Sequence, residues 1–381
     1  MQKLSSQQTL RGCLQQQKPK KDDQKEFNED LCKAMIASNI PLSKLNNPNL
    51  KEFLRKYCKL NIPDESTLRK ASVDSIYKQT LTCIKNEVNS NYFYIVVDET
   101  TDSCGRYIAH ALIGVLGETN PSRSYLFASK KLEKANNLTI ARFVQDSLNN
   151  FFLPQIVPTE KFILFSPDAA PYMIKAGQNL KIFYSNLQHV TCLAHGINRV
   201  AECIREQFPL VNDLIKNVKK VFSKAPRRVQ FNKGKFPNLA LPPQPVITRW
   251  GTWLDAAIFY ADNYHAIKHV IDDLSDSSST SLLNSKNLFT NSLIKNNLIF
   301  IKTNYMFVST TIKNLEKSCI PLTESVALIS QFESNCKKVG GQIGTVVLNE
   351  FNSVAQNNTG FQILKHMSKI FMGENDVTIP N

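Results

Sequence analysis

The order of segments between residues 91 and 207 constrains the fold more than any other feature of this sequence. Residues 92–97 form an aromatic and β-branched run that predicts a buried strand, with Asp98 at its end. Further strand-like runs occupy residues 108–116 and 125–132, separated from their neighbours by short turn-type segments. Helical and strand patterns then alternate, with a helix over 138–151, a strand over 162–166, a helix over 169–180, a strand over 189–192 and a helix over 194–207.

This order predicts an α/β fold built on a mixed sheet. Three strands that are joined by short links are antiparallel neighbours, whereas strands separated by helices are joined by parallel crossovers. We therefore expect helices on both faces of the sheet.

The regions on either side of the sheet have a different character. Residues 1–26 are rich in Gln and Lys and predict a disordered tail, whereas residues 27–90 have helical spacing. In the latter region Asn47 precedes Pro48, which is a helix-start signal, and Leu50, Phe53 and Leu54 are expected on one face of the helix that follows. A third helix is expected from about residue 64 to 89. The complete division predicted is a tail over 1–26, a helical region over 27–90, the sheet domain over 91–245, a helical domain over 246–372 and a tail over 373–381.

Composition and simple motifs narrow the classes of function that the sequence allows. The 381 residues include 46 Lys and Arg against 32 Asp and Glu, a net charge of +14, which favours a polyanionic partner such as nucleic acid. The nine cysteines include no CxxC pair, so we expect a reducing compartment. We find no secretory leader, no apolar run of membrane-spanning length, and no motif typical of P-loop ATPases, α/β-hydrolases or zincin proteases. The basic cluster at 18–21 matches a short nuclear-import signal.

Two carboxylates stand at strand ends. Asp98 follows the first strand and Asp168 follows the fourth, so both side chains are expected at one cleft. Two adjacent carboxylates repel unless a cation joins them, which makes the pair a candidate site for Mg²⁺ or Mn²⁺. The competing interpretation is that both residues make local hydrogen bonds in turns, as Asp commonly does. Glu99 and Asp102 lie beside the first carboxylate.

Cys192 and His195 are separated by two residues, a spacing that occurs in metal sites. A closed zinc site needs four ligands, and nothing nearby supplies a second pair. We therefore predict a structural role for both side chains at the junction of a strand and a helix.

A second group of candidate residues is basic. Eight cations and no acid occupy residues 216–235, Phe222 and Phe231 lie among them, and Phe236 follows directly. Cations neutralise phosphates and exposed rings stack on bases, although a solvated helix end anchored by its rings has the same composition. Arg249 and Trp250 follow this stretch in the sequence. They either contact a phosphate or mark the start of a helix. The predicted nucleic-acid contacts are Lys216, Lys219, Lys220, Lys224, Arg227, Arg228, Lys233, Lys235, Arg249 and Trp250.

Five motifs appear in an order and spacing that resemble those of a known family. They are NIPLSKLNNP, VVDETTD, SPDAAPYM, CLAHGINRV and TRWGTW, and they extend from residue 39 to residue 253. The set is similar to that of the hAT (hobo/Ac/Tam) superfamily of DNA transposases and their domesticated relatives. The resemblance is strongest to the group described as CGG triplet-repeat-binding-protein-like.

The resemblance implies an RNase H-like catalytic domain followed by a helical insertion-type domain. It places the first metal-binding carboxylate at Asp98 and the second at Asp168, with the C-x-x-H motif at Cys192 and His195. The family's third carboxylate is a Glu beyond the helical insertion. Glu316 and Glu324 lie inside the expected insertion, and Glu374 lies in a polar terminus, so we expect the third carboxylate to be absent.

We therefore expect a domesticated, transposase-derived nuclear protein that binds DNA and is catalytically inactive, truncated before the third carboxylate. One alternative is a metal-dependent transposase or nuclease fragment, and another is a protein-interaction scaffold that does not bind nucleic acid. The family's dimerisation segment has no counterpart in the sequence, which leaves self-association open.

Overall fold

The computed structural model describes residues 21–117, 123–246, 250–275 and 279–374. Its backbone separates into two compact units, residues 1–90 and residues 91–381. The described part contains sixteen α-helices and one five-stranded mixed sheet. No helix in it is long and apolar enough to cross a membrane.

The first unit is entirely helical. Its α-helices are α1 (Lys21–Ala37), α2 (Pro48–Tyr57), α3 (Glu65–Ala71) and α4 (Val73–Ser90), with a 3-10 turn at Leu42–Asn46 between α1 and α2. The Asn47 side chain caps α2 by accepting hydrogen bonds from the backbone N–H groups of residues 49 and 50, which confirms the helix-start signal. A small core holds the unit together, made by Cys32, Met35, Leu42, Leu45, Ile62 and Leu68.

Three details of this unit differ from the sequence prediction. Helix α1 begins at Lys21, so residues 21–26 are helical rather than part of the predicted tail. The predicted third helix is two helices, α3 and α4, which are separated at the buried Ser72. Phe53 does not face the core with Leu54, since a one-residue step turns a helix by about 100°. It lies 57% exposed, whereas Leu54 packs on the core.

The second unit is built on the sheet. Its strands are β1 (Tyr92–Thr101), β2 (Tyr107–Leu116), β3 (Ser124–Leu132), β4 (Phe162–Ser166) and β5 (Gln188–His189). They lie in the order β3-β2-β1-β4-β5, with β1–β2 and β2–β3 antiparallel and β1–β4 and β4–β5 parallel. The predicted mixed α/β sheet is confirmed, and its arrangement fits an RNase H-like sheet flanked by helices.

Two strand boundaries were predicted wrongly. Strand β1 continues beyond Asp98 to Thr101, because its antiparallel pairing with β2 runs on to the pair Thr101–Tyr107. Strand β5 ends at His189 rather than at Cys192, because the backbone of Thr191 is bound by a side chain from a distant helix instead of by a strand.

Helices cover both faces of the sheet. The helices that alternate with strands are α5 (Asn137–Phe152), α6 (Pro171–Lys181) and α7 (Leu193–Gln207). The side chains of Phe93, Ile95 and Val97 point to one face and are fully buried, and the Phe93 ring stacks on Phe162 at 5.3 Å. Leu164 and Val190 pack instead against the core that contains α7.

The remaining helices form the bulk of the second unit. They are α8 (Pro209–Phe222), α9 (Pro226–Lys235), α10 (Thr252–Asp262), α11 (Tyr264–Asp273), α12 (Thr280–Thr290), α13 (Ser292–Leu315), α14 (Leu322–Lys338), α15 (Gly341–Gln356) and α16 (Thr359–Phe371). One continuous hydrophobic core joins α7 and α8 to helices from α10 onward. The predicted boundary at residue 245 therefore separates elements that share this core.

The last two helices return to the sheet. Asn358, between α15 and α16, is buried, and its side-chain amide donates to the carbonyl of Thr191 (2.8 Å) and accepts from the N–H of Thr191 (3.2 Å). The amide therefore satisfies the same donor and acceptor that a neighbouring strand would. Gly360 follows, and a Cβ there would lie 2.1 Å from the carbonyl oxygen of His189. The close approach of this segment to β5 requires glycine at residue 360.

We expect Asn358→Ala to destabilise the second unit, because the substitution leaves the buried N–H and C=O of Thr191 without partners. Each orphaned group costs about 1–3 kcal/mol. Urea unfolding followed by circular dichroism measures the change in the free energy of unfolding. Asn357→Ala is the matched control, since Asn357 is exposed and bonds only to Ser353 on its own helix. Equal stability of the two variants would contradict this role for Asn358.

Candidate functional site

The two strand-end carboxylates lie at the same ends of two neighbouring parallel strands. Val96 of β1 pairs in parallel register with Ser166 of β4, and Asp98 and Asp168 each lie two residues further along the chain. Asp98 is still within β1, whereas Asp168 lies in the turn that follows β4. Asp98 is exposed and Asp168 is half-buried. The structure thus brings the two predicted carboxylates to the same edge of the sheet.

Each carboxylate also makes one local hydrogen bond. An oxygen of Asp98 accepts from the backbone N–H of Glu99, and an oxygen of Asp168 accepts from the N–H of Ala170, both at 3.0 Å. The second bond closes a turn immediately before α6, as the competing interpretation of Asp168 requires. Within the described residues, the other oxygen of each carboxylate accepts no hydrogen bond.

Tyr172, in the first turn of α6, belongs to the same site and was not predicted. Its hydroxyl donates to Glu99 at 2.9 Å. Burial raises the pKa of Tyr172, and the hydrogen bond to Glu99 and the charges of Glu99, Asp168 and Asp98 raise it further. All three carboxylates are therefore close enough to the Tyr172 phenol for their charges to affect its pKa. The sequence signal was available, because Tyr172 lies four residues after Asp168 in the SPDAAPYM motif.

Cys192 and His195 lie at the start of α7, beside the carboxylates. The backbone N–H of Cys192 donates to the carbonyl of Pro167 (2.8 Å), which links α7 to the loop that carries Asp168. Burial raises the pKa of the Cys192 thiol, and the negative charges of Asp98 and Asp168 act in the same direction. The His195 ring packs edge-on against Trp250 at 4.2 Å. These contacts are compatible with the predicted structural role of both side chains, which stays a prediction.

The donor set suits one hydrated divalent cation better than two. Across the described residues, no group of three or more His, Cys, Asp or Glu side chains is arranged to hold a metal. Mg²⁺ binds proteins through one or two carboxylates and keeps several waters, so Asp98 and Asp168 could hold one such ion. A bound ion would supply Lewis-acid polarisation of a phosphate oxygen.

Glu350 is an acid on the C-terminal helices that sequence reasoning passed over. It lies on α15, and its carboxylate accepts a hydrogen bond from the Arg199 guanidinium of α7 at 2.9 Å. Arg199 is seven residues beyond Cys192, which places it about 10 Å along the helix from Cys192. Glu350 therefore pairs with Arg199 rather than joining Asp98 and Asp168.

The basic stretch forms the end of α8, a turn and α9. We define the α8–α9 basic surface as its six cations that make no ion pair within the described residues: Lys216, Lys219, Lys220, Lys224, Arg227 and Lys233. Five of these side chains are exposed and Lys219 is half-buried. Lys224 occupies the turn with a positive φ of 53°. The structure thus brings these predicted cations together along two consecutive helices.

The other predicted contacts have partners of their own or lie elsewhere. Arg228 donates to the carbonyl of Val221 at the end of α8 (3.1 Å), and Lys235 forms an ion pair with Asp273. Trp250 is half-buried against the core, and Arg249 lies outside the described residues. The three phenylalanines of the stretch, Phe222, Phe231 and Phe236, pack on the core. The surface therefore presents cations without exposed phenylalanine rings.

Two family models match the sequence. The model described as CGGBP1 helical domain matches residues 18–75, and the model described as Domain of unknown function (DUF659) matches residues 63–221. The second match contains the whole sheet, both strand-end carboxylates and the first three cations of the α8–α9 basic surface. A search of curated proteins finds no match. The two matches support the resemblance noted in the sequence at a coarse level only.

We expect the Cys192 thiol to react slowly at neutral pH. Its raised pKa lowers the thiolate fraction, and the thiolate is the nucleophile. Limited alkylation with iodoacetamide, read by peptide mass spectrometry, should therefore modify the exposed Cys83 and Cys104 before Cys192. All three should react at similar rates in denaturant. Native labelling of Cys192 as fast as that of Cys104 would identify an accessible thiolate and contradict the packing role.

Proposed function

We propose that the chain is a domesticated, hAT transposase-derived nuclear protein that holds DNA by its phosphate backbone and does not carry out strand transfer. The observation that carries this proposal is the α8–α9 basic surface. It supports DNA binding because six cations without acidic partners follow one another along two helices of a chain with a net charge of +14.

Helix dipoles account for only part of this surface. Lys219 and Lys220 lie in the last turn of α8 and Lys233 lies in the last turn of α9, where cations are favoured by the partial negative charge of a helix C-terminus. Arg227 is different, because it is exposed in the first turn of α9, where a cation opposes the dipole. An external anion would relieve that cost, which makes Arg227 the strongest single argument for a phosphate.

The chemistry of the surface favours sequence-tolerant binding. Five of its six cations are lysines, whose ammonium groups act as point charges, whereas base recognition relies on planar, bidentate groups at base edges. Phosphate contacts position a protein on a duplex without carrying sequence information. We therefore propose that this surface contacts duplexes of different sequence with similar affinity.

Loss of strand transfer is supported by the donor set at the sheet edge. Two-metal phosphoryl transfer needs enough carboxylate oxygens to hold both ions and to align the nucleophile and the leaving group. Asp98 and Asp168 supply two carboxylates, and Glu350 is paired with Arg199. The basic cluster at 18–21 supports nuclear import, where a DNA-binding protein meets its ligand.

We expect the combined variant Lys220→Gln, Lys224→Gln, Arg227→Gln and Lys233→Gln to bind all duplexes more weakly. Each lost phosphate contact should also reduce the slope of log K against log salt concentration by about 0.9. Fluorescence anisotropy with unrelated duplexes over a salt series measures both quantities.

The matched control removes four exposed cations elsewhere in the second unit: Lys134, Lys181, Lys317 and Lys338. This control variant should keep most of the affinity and the slope. Equal loss in both variants would show that net charge alone drives binding. Absence of measurable binding of the parent protein to any duplex would favour the scaffold interpretation.

Metal-dependent cleavage is a second candidate, because Asp98 and Asp168 each lie two residues beyond the parallel pair Val96–Ser166. We expect no cleavage of labelled hairpin or linear duplexes by the purified protein with Mg²⁺ or Mn²⁺, since two carboxylates hold at most one ion loosely. Gel analysis of the products measures this. Cleavage that disappears in Asp168→Ala, while Asp146→Ala retains it, would establish an active nuclease. Asp146 is a suitable control because it lies on α5 and pairs with Lys130.

A further inference from the structure

Helix α2 of the first unit carries two large rings in solvent. Phe53 and Tyr57 are one helical turn apart, 57% and 66% exposed, with ring centroids 5.0 Å apart and ring planes inclined at 51°. Exposed aromatic side chains at this spacing form a continuous apolar patch on one face of the helix. We refer to Phe53 and Tyr57 together as the α2 ring pair.

The α2 ring pair has no role in the core of its unit. Leu54 and Cys58 pack on that core, and no residue of α2 is fully buried. Neither ring is among the side chains that pack against the cluster. Folding therefore does not explain why two rings stand side by side in water at this place.

One cation, Lys56, lies beside the ring pair, and Arg55 and Lys59 are close to it in the sequence. All three are exposed, and none of them makes an ion pair in the described part of the unit. The Lys56 ammonium lies 5.3 Å from the centroid of the Tyr57 ring. Glu52 is the one acid on α2 itself. The helix dipole favours cations at this C-terminal end, but it gives no reason for the two rings.

We propose that the α2 ring pair binds unpaired bases of single-stranded nucleic acid, while Arg55, Lys56 and Lys59 hold the flanking phosphates. Base–aromatic stacking tolerates any sequence because every base has a π face, and cations beside the rings neutralise the backbone. Bases in a duplex are already stacked on each other, so the site selects unpaired strands. This inference concerns a different surface and a different ligand from the α8–α9 basic surface, and it does not depend on duplex binding.

Tyr77 provides the comparison within the same unit. It is 60% exposed on α4, which makes it as accessible as either ring of the pair, but it has no aromatic neighbour among the described residues. A single exposed tyrosine offers one stacking surface, whereas the α2 ring pair offers two adjacent ones. The same cations would also attract an acidic protein segment, and the experiment below separates that ligand from nucleic acid.

The experiment uses the full chain and oligodeoxythymidylate of about twenty nucleotides, a length that exceeds typical single-strand site sizes. It is performed in the background of the four α8–α9 substitutions, so that electrostatic binding at that surface does not mask the site. Phe53→Ala with Tyr57→Ala should weaken binding about five- to a hundredfold, in line with the loss of one stacked base. Tyr77→Ala and the conservative pair Phe53→Tyr with Tyr57→Phe should bind like the background protein.

Two further measurements keep the test decisive. Photocrosslinking of the background protein to an oligonucleotide containing 5-iodouracil should attach at Phe53 or Tyr57, and this readout needs no substitution in α2. An abasic oligonucleotide of equal length should bind much more weakly than the thymidylate. The proposal is overturned if the ring variant binds like its background, if crosslinks fall elsewhere, or if the abasic strand binds equally well. Equal binding of the abasic strand would show that the cations alone bind the oligonucleotide. A ring pair that does not bind nucleic acid would indicate a protein ligand.

Discussion

The pairing of β1 with both of its neighbours is the constraint on which the second unit depends. This strand pairs antiparallel with β2 over its whole length and parallel with β4 over its first half. Its alternate residues Phe93, Ile95 and Val97 are buried on one face, so a shift of one residue would expose them all. The same register carries Asp98 to the edge where Asp168 leaves β4. The core and the candidate site are therefore set by one strand.

The C-terminal helices add a second constraint. The amide of Asn358 occupies the place of a neighbouring strand beside Thr191, and the glycine at 360 allows the chain to approach His189 closely. These contacts join residues 167 positions apart in the sequence. They link α15 and α16 to the end of the sheet at which Cys192 precedes α7. The helical domain and the sheet are thus one packed body rather than a sheet with an appendage.

A count of the basic residues in 216–235 does not show which of them are available to a ligand. Of the eight cations in residues 216–235, Arg228 completes the end of a helix and Lys235 neutralises Asp273. The phenylalanines among them face inward, which removes the stacking partner that the stretch seemed to offer. Exposed rings beside cations occur instead on α2, where the sequence pattern predicted Phe53 on the same face as Leu50 and Leu54. Composition therefore indicated a polyanionic ligand, while the side-chain directions decide which surfaces can contact it.

The sequence by itself determined the order of helices and strands, the mixed sheet, the antiparallel and parallel pairings, and the placement of Asp98 and Asp168 on adjacent strands. Those features follow from local periodicity and from short connections, which are properties of neighbouring residues. Only the tertiary structure decided that β1 continues to Thr101 and that Tyr172 lies among three carboxylates. It also decided that Glu350 pairs with Arg199, and that the Asn358 side chain takes the place of a neighbouring strand. Each of these depends on contacts between residues far apart in the chain. The local sequence pattern does not identify such partners, because their contact depends on how whole helices pack.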